Sequence, residues 1–322
     1  MGDEEKSPLI SVVCPFFNEQ QAVAKFFAVL LPQLRTLDTE FEIVCVNDGS
    51  SDNTLQLLLD ARQIEPRIRV LDLSRNFGKE AALTAGLDFA HGDAVIPMDT
   101  DLQDPPEQIP VFVQKWREGA EVVLGRRSDR SADSWSKRVS SGLFYKLHNR
   151  IAEVALPENV GDFRLMDRRV VEALRRLPER RRFMKGLFAW IGFRTVEVDY
   201  VRPPRVAGKS TLNGWTLWNL AIEGITAFSS APLRVLSYIG LVVALLSFTY
   251  AAFIVGRTLV LGIDVPGYAS LITIVLFLGG VQLIGLGIIG EYVGRIYAES
   301  KQRPIYVVRQ LFENNQNGSR DL

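Results

Sequence analysis

Residues 98–106 read MDTDLQDPP and place three carboxylates, Asp99, Asp101 and Asp104, close together after a mostly apolar run at 93–98. Carboxylate oxygens are hard ligands that suit Mg²⁺ or Mn²⁺, so the stretch could hold a divalent cation. Aspartate is also common in turns, because its side chain bonds its own backbone. Taken alone, the stretch is therefore either a cation site or an acidic turn.

Four strand-like segments of the N-terminal region end in polar clusters. The apolar runs at 9–17, 41–52, 68–74 and 93–99 alternate with helix-like segments at 20–37, 54–63 and 80–90. This alternation predicts a parallel α/β sheet, and such sheets bind ligands beyond the carboxyl ends of their strands. The strand ends carry Asn18-Glu19, Asp48-Gly49-Ser50, Arg75-Asn76 and Asp99 to Asp104. Their convergence favours a site, and Mg²⁺ held by few carboxylates usually needs substrate phosphates as well.

Composition excludes several other classes of protein. The 322 residues hold 37 basic and 37 acidic side chains, which points to no nucleic-acid partner. Cys14 and Cys45 lack metal-ligand spacing and indicate buried thiols in a reducing compartment. No G-x-G-x-x-G follows the first strand, which disfavours a dinucleotide-binding fold. Pro203 replaces the first glycine that a P-loop ending at Ser210 requires, which disfavours a Walker A nucleotide site.

Two uncharged segments predict a transmembrane hairpin. Val235–Val255 and Tyr268–Gly290 contain 21 and 23 residues, each enough to cross a hydrocarbon core of ~30 Å as a helix. The segment between them, 256–267, holds one Arg and one Asp. The outer flanks carry Arg234, Arg295, Lys301, Arg303 and Arg309. The positive-inside rule therefore predicts that both flanks and the whole N-terminal region are cytoplasmic.

These motifs together resemble the family 2 glycosyltransferases with a GT-A fold, a Rossmann-like nucleotide-sugar domain. The matching residues are Pro15–Glu19 (PFFNE), Val46–Asp52 (VNDGSSD), Asp99–Pro106 (DTDLQDPP) and Gly161–Leu165 (GDFRL). With the C-terminal hairpin, the chain resembles the members that glycosylate polyisoprenyl phosphates, and the likeness runs from about residue 9 to residue 309. A processive polysaccharide synthase is disfavoured, because 114–117 reads QKWR, which is not that group's Q-x-x-R-W motif.

The resemblance implies a nucleotide-sugar donor, UDP-glucose, with GDP-mannose and UDP-aminoarabinose as alternatives. It implies that the donor nucleotide is bound by Pro15, Asn18, Glu19, Asp48 and Lys79. Lys79 could equally be a solvated lysine at a helix start. Asp99 and Asp101 are the implied ligands of Mg²⁺ or Mn²⁺.

Catalysis is implied for three residues, Asp101, Gln103 and Asp162, with Gln103 near the sugar or the metal. Asp162 is expected to act as a base or to orient a glucose hydroxyl. The structural alternatives for Asp162 are a helix cap or a partner of Arg164, and Asp104 is expected to be a turn residue.

The implied acceptor is a polyprenyl phosphate, such as undecaprenyl phosphate. An anionic nucleophile beside an anionic donor requires cations, and arginine grips phosphate with two parallel hydrogen bonds. The resemblance favours Arg127, Arg138 and Lys209 as ligands of the acceptor phosphate.

The expected organisation has four parts. Residues 1–205 form a cytoplasmic catalytic domain, 206–231 a juxtamembrane amphipathic helix or a helix packed on that domain, 232–295 the hairpin, and 296–322 a cytoplasmic tail. The protein is expected to be a multi-pass enzyme of the bacterial plasma (inner) membrane and a homo-oligomer. The strand-like tail at 303–310 suggests pairing with a neighbouring subunit. A membrane scaffold without activity is the alternative of another class.

Overall fold

The computed structural model describes residues 7–128, 149, 157, 160–180, 182–201, 229, 231–261 and 267–313. Most of the expected amphipathic helix at 206–231 lies outside these residues, as do Arg138 and Lys209.

The first half of the chain forms the predicted parallel α/β unit. Its strands are β1 (Leu9–Phe16), β2 (Glu40–Asn47), β3 (Ile68–Leu73) and β4 (Ala94–Pro97). The helices between them are α1 (Val23–Arg35), α2 (Thr54–Ile64) and α3 (Lys79–Phe89). All four strands are parallel and lie in the order β4-β1-β2-β3. They are apolar on both faces because helices cover the sheet on both sides.

The next segment extends the sheet beyond β4 with a strand that runs the other way. Its elements are α4 (Ile109–Arg117), β5 (Val122–Arg127), β6 (Val160–Asp167), α5 (Arg168–Arg175), α6 (Met184–Trp190) and β7 (Thr195–Tyr200). Strand β6 pairs antiparallel with both β4 and β5, and β7 pairs parallel with β5. The beginning of β6 and the ends of β5 and β7 therefore lie at the same edge as the carboxyl ends of β1 to β4.

Two hydrophobic layers hold the sheet in place. Helices α1, α2 and α4 bury side chains such as Phe26, Leu58 and Phe112 against one face. Helices α3, α5 and α6 bury side chains such as Leu83 and Val171 against the other. Burial of apolar surface stabilises by roughly 25 cal/mol per Å², so both faces are committed to packing. Within the part of the chain that the structure describes, a ligand can therefore reach the sheet at its strand ends.

A helical hairpin follows, formed by α7 (Ala231–Leu261) and α8 (Tyr268–Ser300). At a rise of ~1.5 Å per residue, each helix is roughly 45–50 Å long. Apolar side chains along both are exposed, including Phe248 and Leu283. Among the described residues, Phe277–Ser300 is long and apolar enough to cross a membrane, and a shorter apolar stretch covers Val235–Tyr250.

The C-terminal tail returns to the sheet of its own chain. Strand β8 (Val308–Phe312) pairs antiparallel with β3, with Leu311 opposite Leu71. Arg309 donates to the buried carboxylate of Asp72, and Tyr306 donates to Asp88 at 2.8 Å. The expected pairing of this strand with a neighbouring subunit is thus replaced by pairing within the chain, because β3 would otherwise leave an unpaired edge.

We predict that Leu71→Cys combined with Leu311→Cys gives an intramolecular disulfide. Directly opposed antiparallel residues have Cα atoms about 4.5–5.5 Å apart, which lies within the range of disulfides. After mild oxidation, non-reducing SDS electrophoresis should show an internally disulfide-linked monomer, whose mobility changes on reduction. This species should form only in the double variant. A disulfide-linked dimer would show that the strand pairs between subunits.

Candidate active site

The expected donor-binding residues lie along one edge of the sheet. Pro15 belongs to the end of β1, Asp48 directly follows β2, and Lys79 begins α3 just beyond β3. Asn18 and Glu19 occupy the loop after β1. The structure therefore brings these five residues to the edge that the alternating pattern predicts.

Asn18 fixes the shape of the loop after β1. Its backbone has a positive φ of 54°, which asparagine tolerates better than most residues. Its side-chain Oδ1 accepts a hydrogen bond from the Ser51 N–H at 2.8 Å, and its own N–H donates to Ser50 Oγ at 3.0 Å. The neighbouring Glu19 N–H donates to Thr54 Oγ1 at 2.9 Å. The first and second strand-end loops are thus bonded to each other.

Asp48 bonds the second strand-end loop to the third. Its two carboxylate oxygens accept from the N–H groups of Phe77 at 2.7 Å and Gly78 at 2.9 Å. Burial raises the pKa of Asp48, although these bonds and the charge of Arg75 act against that rise. Each oxygen has a second lone pair, so the carboxylate can still accept from a base N–H group.

Gly49 makes this close approach of the second and third loops possible. A Cβ on Gly49 would lie 2.3 Å from the Arg75 carbonyl carbon, and its φ is +63°. Only glycine fits both the backbone conformation and the space.

The acidic stretch after β4 meets Asp162 of β6 through a shared lysine. Lys79 Nζ lies 2.7 Å from Asp99 Oδ1 and 2.8 Å from Asp162 Oδ2. The three side chains come from three separate elements, and they meet because β6 starts at the edge where β4 ends. The side chain of Asp162 is 15% exposed and that of Lys79 is 46% exposed.

The charges in this cluster shift one another's pKa values. Burial acts to raise the pKa of Asp162, but the charges of Lys79 and Lys185 lower it to about 2. Burial acts to lower the pKa of Lys79, but Asp162 and Asp99 raise it above its ordinary value. Burial, followed by the charge of Asp162, raises the pKa of Glu80 to about 7. At neutral pH, therefore, Asp162 is a carboxylate and Lys79 an ammonium ion.

Arg164 positions Asp162 through the backbone. Its guanidinium donates to the carbonyl oxygens of Gly161 at 2.8 Å and Asp162 at 3.3 Å, and lies over the Phe188 ring. Arg164 thus bonds the backbone at Asp162, and its charge also helps to lower the pKa of the Asp162 carboxyl. Asp162 caps no helix, since it lies within β6. Its Oδ1 atom is buried and accepts no hydrogen bond from the described part of the chain. The carboxylate keeps one acceptor atom available.

The turn after β4 contains one residue with a larger structural role than the sequence indicates. Asp101 accepts from the Gln103 N–H at 3.1 Å, and Leu102 between them has a positive φ of 55°. Asp104 is only 3% exposed and accepts from the Tyr200 hydroxyl at 2.8 Å. It therefore binds the acidic turn to the end of β7, which is more than the turn role expected of it.

Tyr200 also contacts the expected acceptor-phosphate ligand on β5. Arg127 Nε donates to the Tyr200 hydroxyl at 3.4 Å, and a Cβ on Gly161 would lie 3.0 Å from Arg127 Nη2. Arg127 is thus held between the acidic turn and the strand that carries Asp162. The adjacent Arg126 instead pairs with Asp199 and Glu197, which indicates a structural role.

The arrangement fits a divalent cation held partly by substrate. Within the described residues, no three His, Cys, Asp or Glu side chains converge as a metal site. Asp99 and Asp101 are two residues apart at the strand end, which matches a Mg²⁺ or Mn²⁺ site completed by phosphates and water. A positive charge is already favoured here, since Asp99 accepts a hydrogen bond from the Lys79 ammonium group.

Several residues of the site were not predicted from the sequence. Glu80 and Lys185 join the charge cluster, and Tyr200 bonds the buried Asp104 of the acidic turn. Nothing in the pattern of the stretch FMKGLFAW around Lys185 indicates a role at the site.

Comparison with known proteins decides the family. The model described as "Glycosyl transferase family 2" matches residues 11–175, and that of "GtrB C-terminal hairpin" matches residues 231–296. This chain belongs to glycosyltransferase family 2. The predicted family, the GT-A fold and the C-terminal hairpin are thereby confirmed, and the hairpin indicates membrane association.

Relatives of this family 2 glycosyltransferase match nearly its whole length. The bactoprenol glucosyl transferase of Shigella phage SfV is 55% identical over 300 residues, 93% of this chain and 98% of the relative. An uncharacterized glycosyltransferase of Synechocystis is 53% identical, covering 94% and 95%. The prophage bactoprenol glucosyl transferase homolog of Escherichia coli K12 is 51% identical, covering 94% and 99%.

We predict that Tyr200→Phe destabilises the catalytic domain by about 1–3 kcal/mol, because the buried Asp104 loses a hydrogen-bond donor. Chemical denaturation should show the loss. Tyr238→Phe, in an exposed position on α7, should change stability little. Equal stability of Tyr200→Phe and the wild type would show that the hydroxyl bridge is not a stabilising contact.

Proposed function

We propose that the enzyme transfers glucose from UDP-glucose to a polyprenyl phosphate, with inversion at the anomeric carbon. The observation that carries this proposal is the convergence of Asp99, Asp101 and Asp162 at one sheet edge, in a chain whose full-length relatives are named bactoprenol glucosyl transferases. Asp99 and Asp101 can bind a cation that also binds the diphosphate, and Asp162 can bind the sugar.

The donor nucleotide binds across the first three strand ends. Pro15, Asn18, Glu19 and Asp48 line the uridine, and Lys79 faces the diphosphate. The mutual hydrogen bonds of the three loops support this assignment, since they form a preorganised surface before any ligand arrives. Preorganised sites lose less entropy on binding.

Asp99 and Asp101 would hold a Mg²⁺ or Mn²⁺ ion, which when bound stabilises the charge on the departing UDP. Gln103, held in the same turn, lies on the sugar side. Asp162 is ionised at neutral pH, with a pKa lowered to about 2 by Lys79 and Lys185 against the effect of burial. Such a carboxylate is a weak base, so we assign it the role of accepting a hydrogen bond from a glucose hydroxyl.

The acceptor supplies its own nucleophile. The second pKa of a phosphate monoester is near ~6, so the polyprenyl phosphate is already largely ionised in the cytoplasm. Its oxygen attacks the anomeric carbon from the face opposite UDP, the bond to UDP breaks, and a β-linked glucosyl phosphate forms. Arg127 binds the acceptor phosphate from β5, and we include Arg138 and Lys209 as further ligands from outside the described residues.

The hairpin anchors the catalytic domain at the membrane that contains its lipid substrate. The positive flanks of the hairpin support a cytoplasmic catalytic domain on a bacterial inner membrane, with both helices spanning the bilayer. In α8, a Cβ added to Gly290 or Gly294 would meet no atom of the described chain within 4 Å outside the helix's own backbone. This small-residue face leaves room for close approach of another helix, which supports a homo-oligomer.

We predict that the purified full-length protein makes a glucolipid and UDP from UDP-glucose, undecaprenyl phosphate and Mg²⁺ or Mn²⁺. Chelation should abolish the reaction. Asp99→Asn, Asp101→Asn and Asp162→Asn should each lower turnover by about 10²-fold or more, the usual cost of losing an electrostatic contact made in the transition state.

Asp38→Asn, at an exposed position distant in sequence from the site, is the matched control and should retain full turnover. GDP-mannose and UDP-aminoarabinose are the competing donors in parallel reactions. Preference for either would replace glucose in the proposal, and no product from any of the three donors would refute lipid glycosylation.

A further inference from the structure

Lys79 occupies an unusual place in the active site, because one ammonium group contacts two of the three functional carboxylates. It lies 2.7 Å from Asp99 and 2.8 Å from Asp162. Asp99 is a proposed ligand of the divalent cation, and Asp162 is the proposed sugar ligand. The lysine therefore places a positive charge between the proposed metal ligand and the proposed sugar ligand.

The two carboxylates need this cation. Asp162 is only 15% exposed, and its Oδ1 atom receives no hydrogen bond within the described chain. A buried carboxylate without a counter-ion is costly, and a second carboxylate nearby would add repulsion. Lys79 offsets both costs by contacting both carboxylates.

The same lysine is also easy to displace. Its side chain is 46% exposed, and it begins α3, whereas the two carboxylates belong to the end of β4 and to β6. A lysine ammonium is a point charge on a flexible stem of four carbons, so it can leave one partner for another without backbone movement. The donor diphosphate would bring a new anionic partner to the same edge of the sheet.

We propose that Lys79 is an exchangeable internal counter-ion, which competes with the divalent cation for Asp99 until the donor diphosphate draws it away. The inference rests on the proposed function, since it assumes a metal and a diphosphate at this edge. Its consequence is cooperative binding: the metal binds weakly alone, and the diphosphate strengthens metal binding by removing its competitor. By linkage, the metal must strengthen binding of the diphosphate to the same extent.

Binding of Mn²⁺ and UDP to the full-length protein in detergent tests this inference without any turnover. In Lys79→Met the competitor is lost, so the affinity for Mn²⁺ without nucleotide should rise by about tenfold or more, given the strength of a charge contact near a protein surface. The strengthening of Mn²⁺ binding by UDP should shrink correspondingly. Titration calorimetry, or the EPR signal of free Mn²⁺, gives both values.

Two variants serve as controls. Lys79→Arg keeps the positive charge and should bind Mn²⁺ alone nearly as weakly as the wild type. Lys115→Met removes a lysine that pairs with Glu118 on α4, and it should leave Mn²⁺ binding unchanged. A larger rise in melting temperature on adding Mn²⁺ to Lys79→Met than to the wild type would show that this variant is folded and that it binds the metal more tightly.

Unchanged or weaker binding of Mn²⁺ alone to folded Lys79→Met would overturn the counter-ion role. This outcome is distinct from a failure of the proposed function, which is judged by glucolipid synthesis in the wild type. Conversely, a chain that makes no glucolipid would still reveal, through Mn²⁺ alone, whether Lys79 competes for Asp99.

Discussion

Ionised carboxylates at one edge of a sheet repel one another, and this site exists because cations and backbone donors offset that repulsion. Lys79 contacts Asp99 and Asp162, while N–H groups of the neighbouring loop satisfy Asp48. The remaining acid of the turn, Asp104, is buried under a tyrosine hydroxyl. Asp99 and Asp162 thus share one ammonium group, whereas Asp48 and Asp104 each accept from donors of their own.

The sequence predicts the half of the fold in which neighbours in sequence are neighbours in space. Strands β1 to β4 alternate with helices, so their periodicity and polar ends predict one sheet edge and most donor-side residues. The placement of β6 beside β4 could not be predicted this way, because it joins segments about 70 residues apart and reverses direction. Asp162 was therefore assigned by resemblance, and only the sheet explains why it meets Asp99.

The contacts between the C-terminal tail and the sheet likewise could not be predicted from the sequence. The strand character of the tail was visible in its sequence, but its partner was not, since any exposed edge can accept a strand. The structure pairs β8 with β3 and joins Arg180 of the catalytic domain to Glu299 at the end of α8. The hairpin is thereby connected to the domain through hydrogen bonds as well as through the chain, which suits an enzyme whose two substrates come from water and from lipid.

The most direct test of this account is a structure of the full-length protein with Mn²⁺ and UDP-glucose, in which the anomalous signal locates the metal. We expect Mn²⁺ beside the diphosphate and the carboxylates of Asp99 and Asp101, glucose beside Asp162, and Lys79 on the diphosphate. A nucleotide bound away from this edge, or Lys79 still on Asp99 with the donor and metal bound, would contradict it.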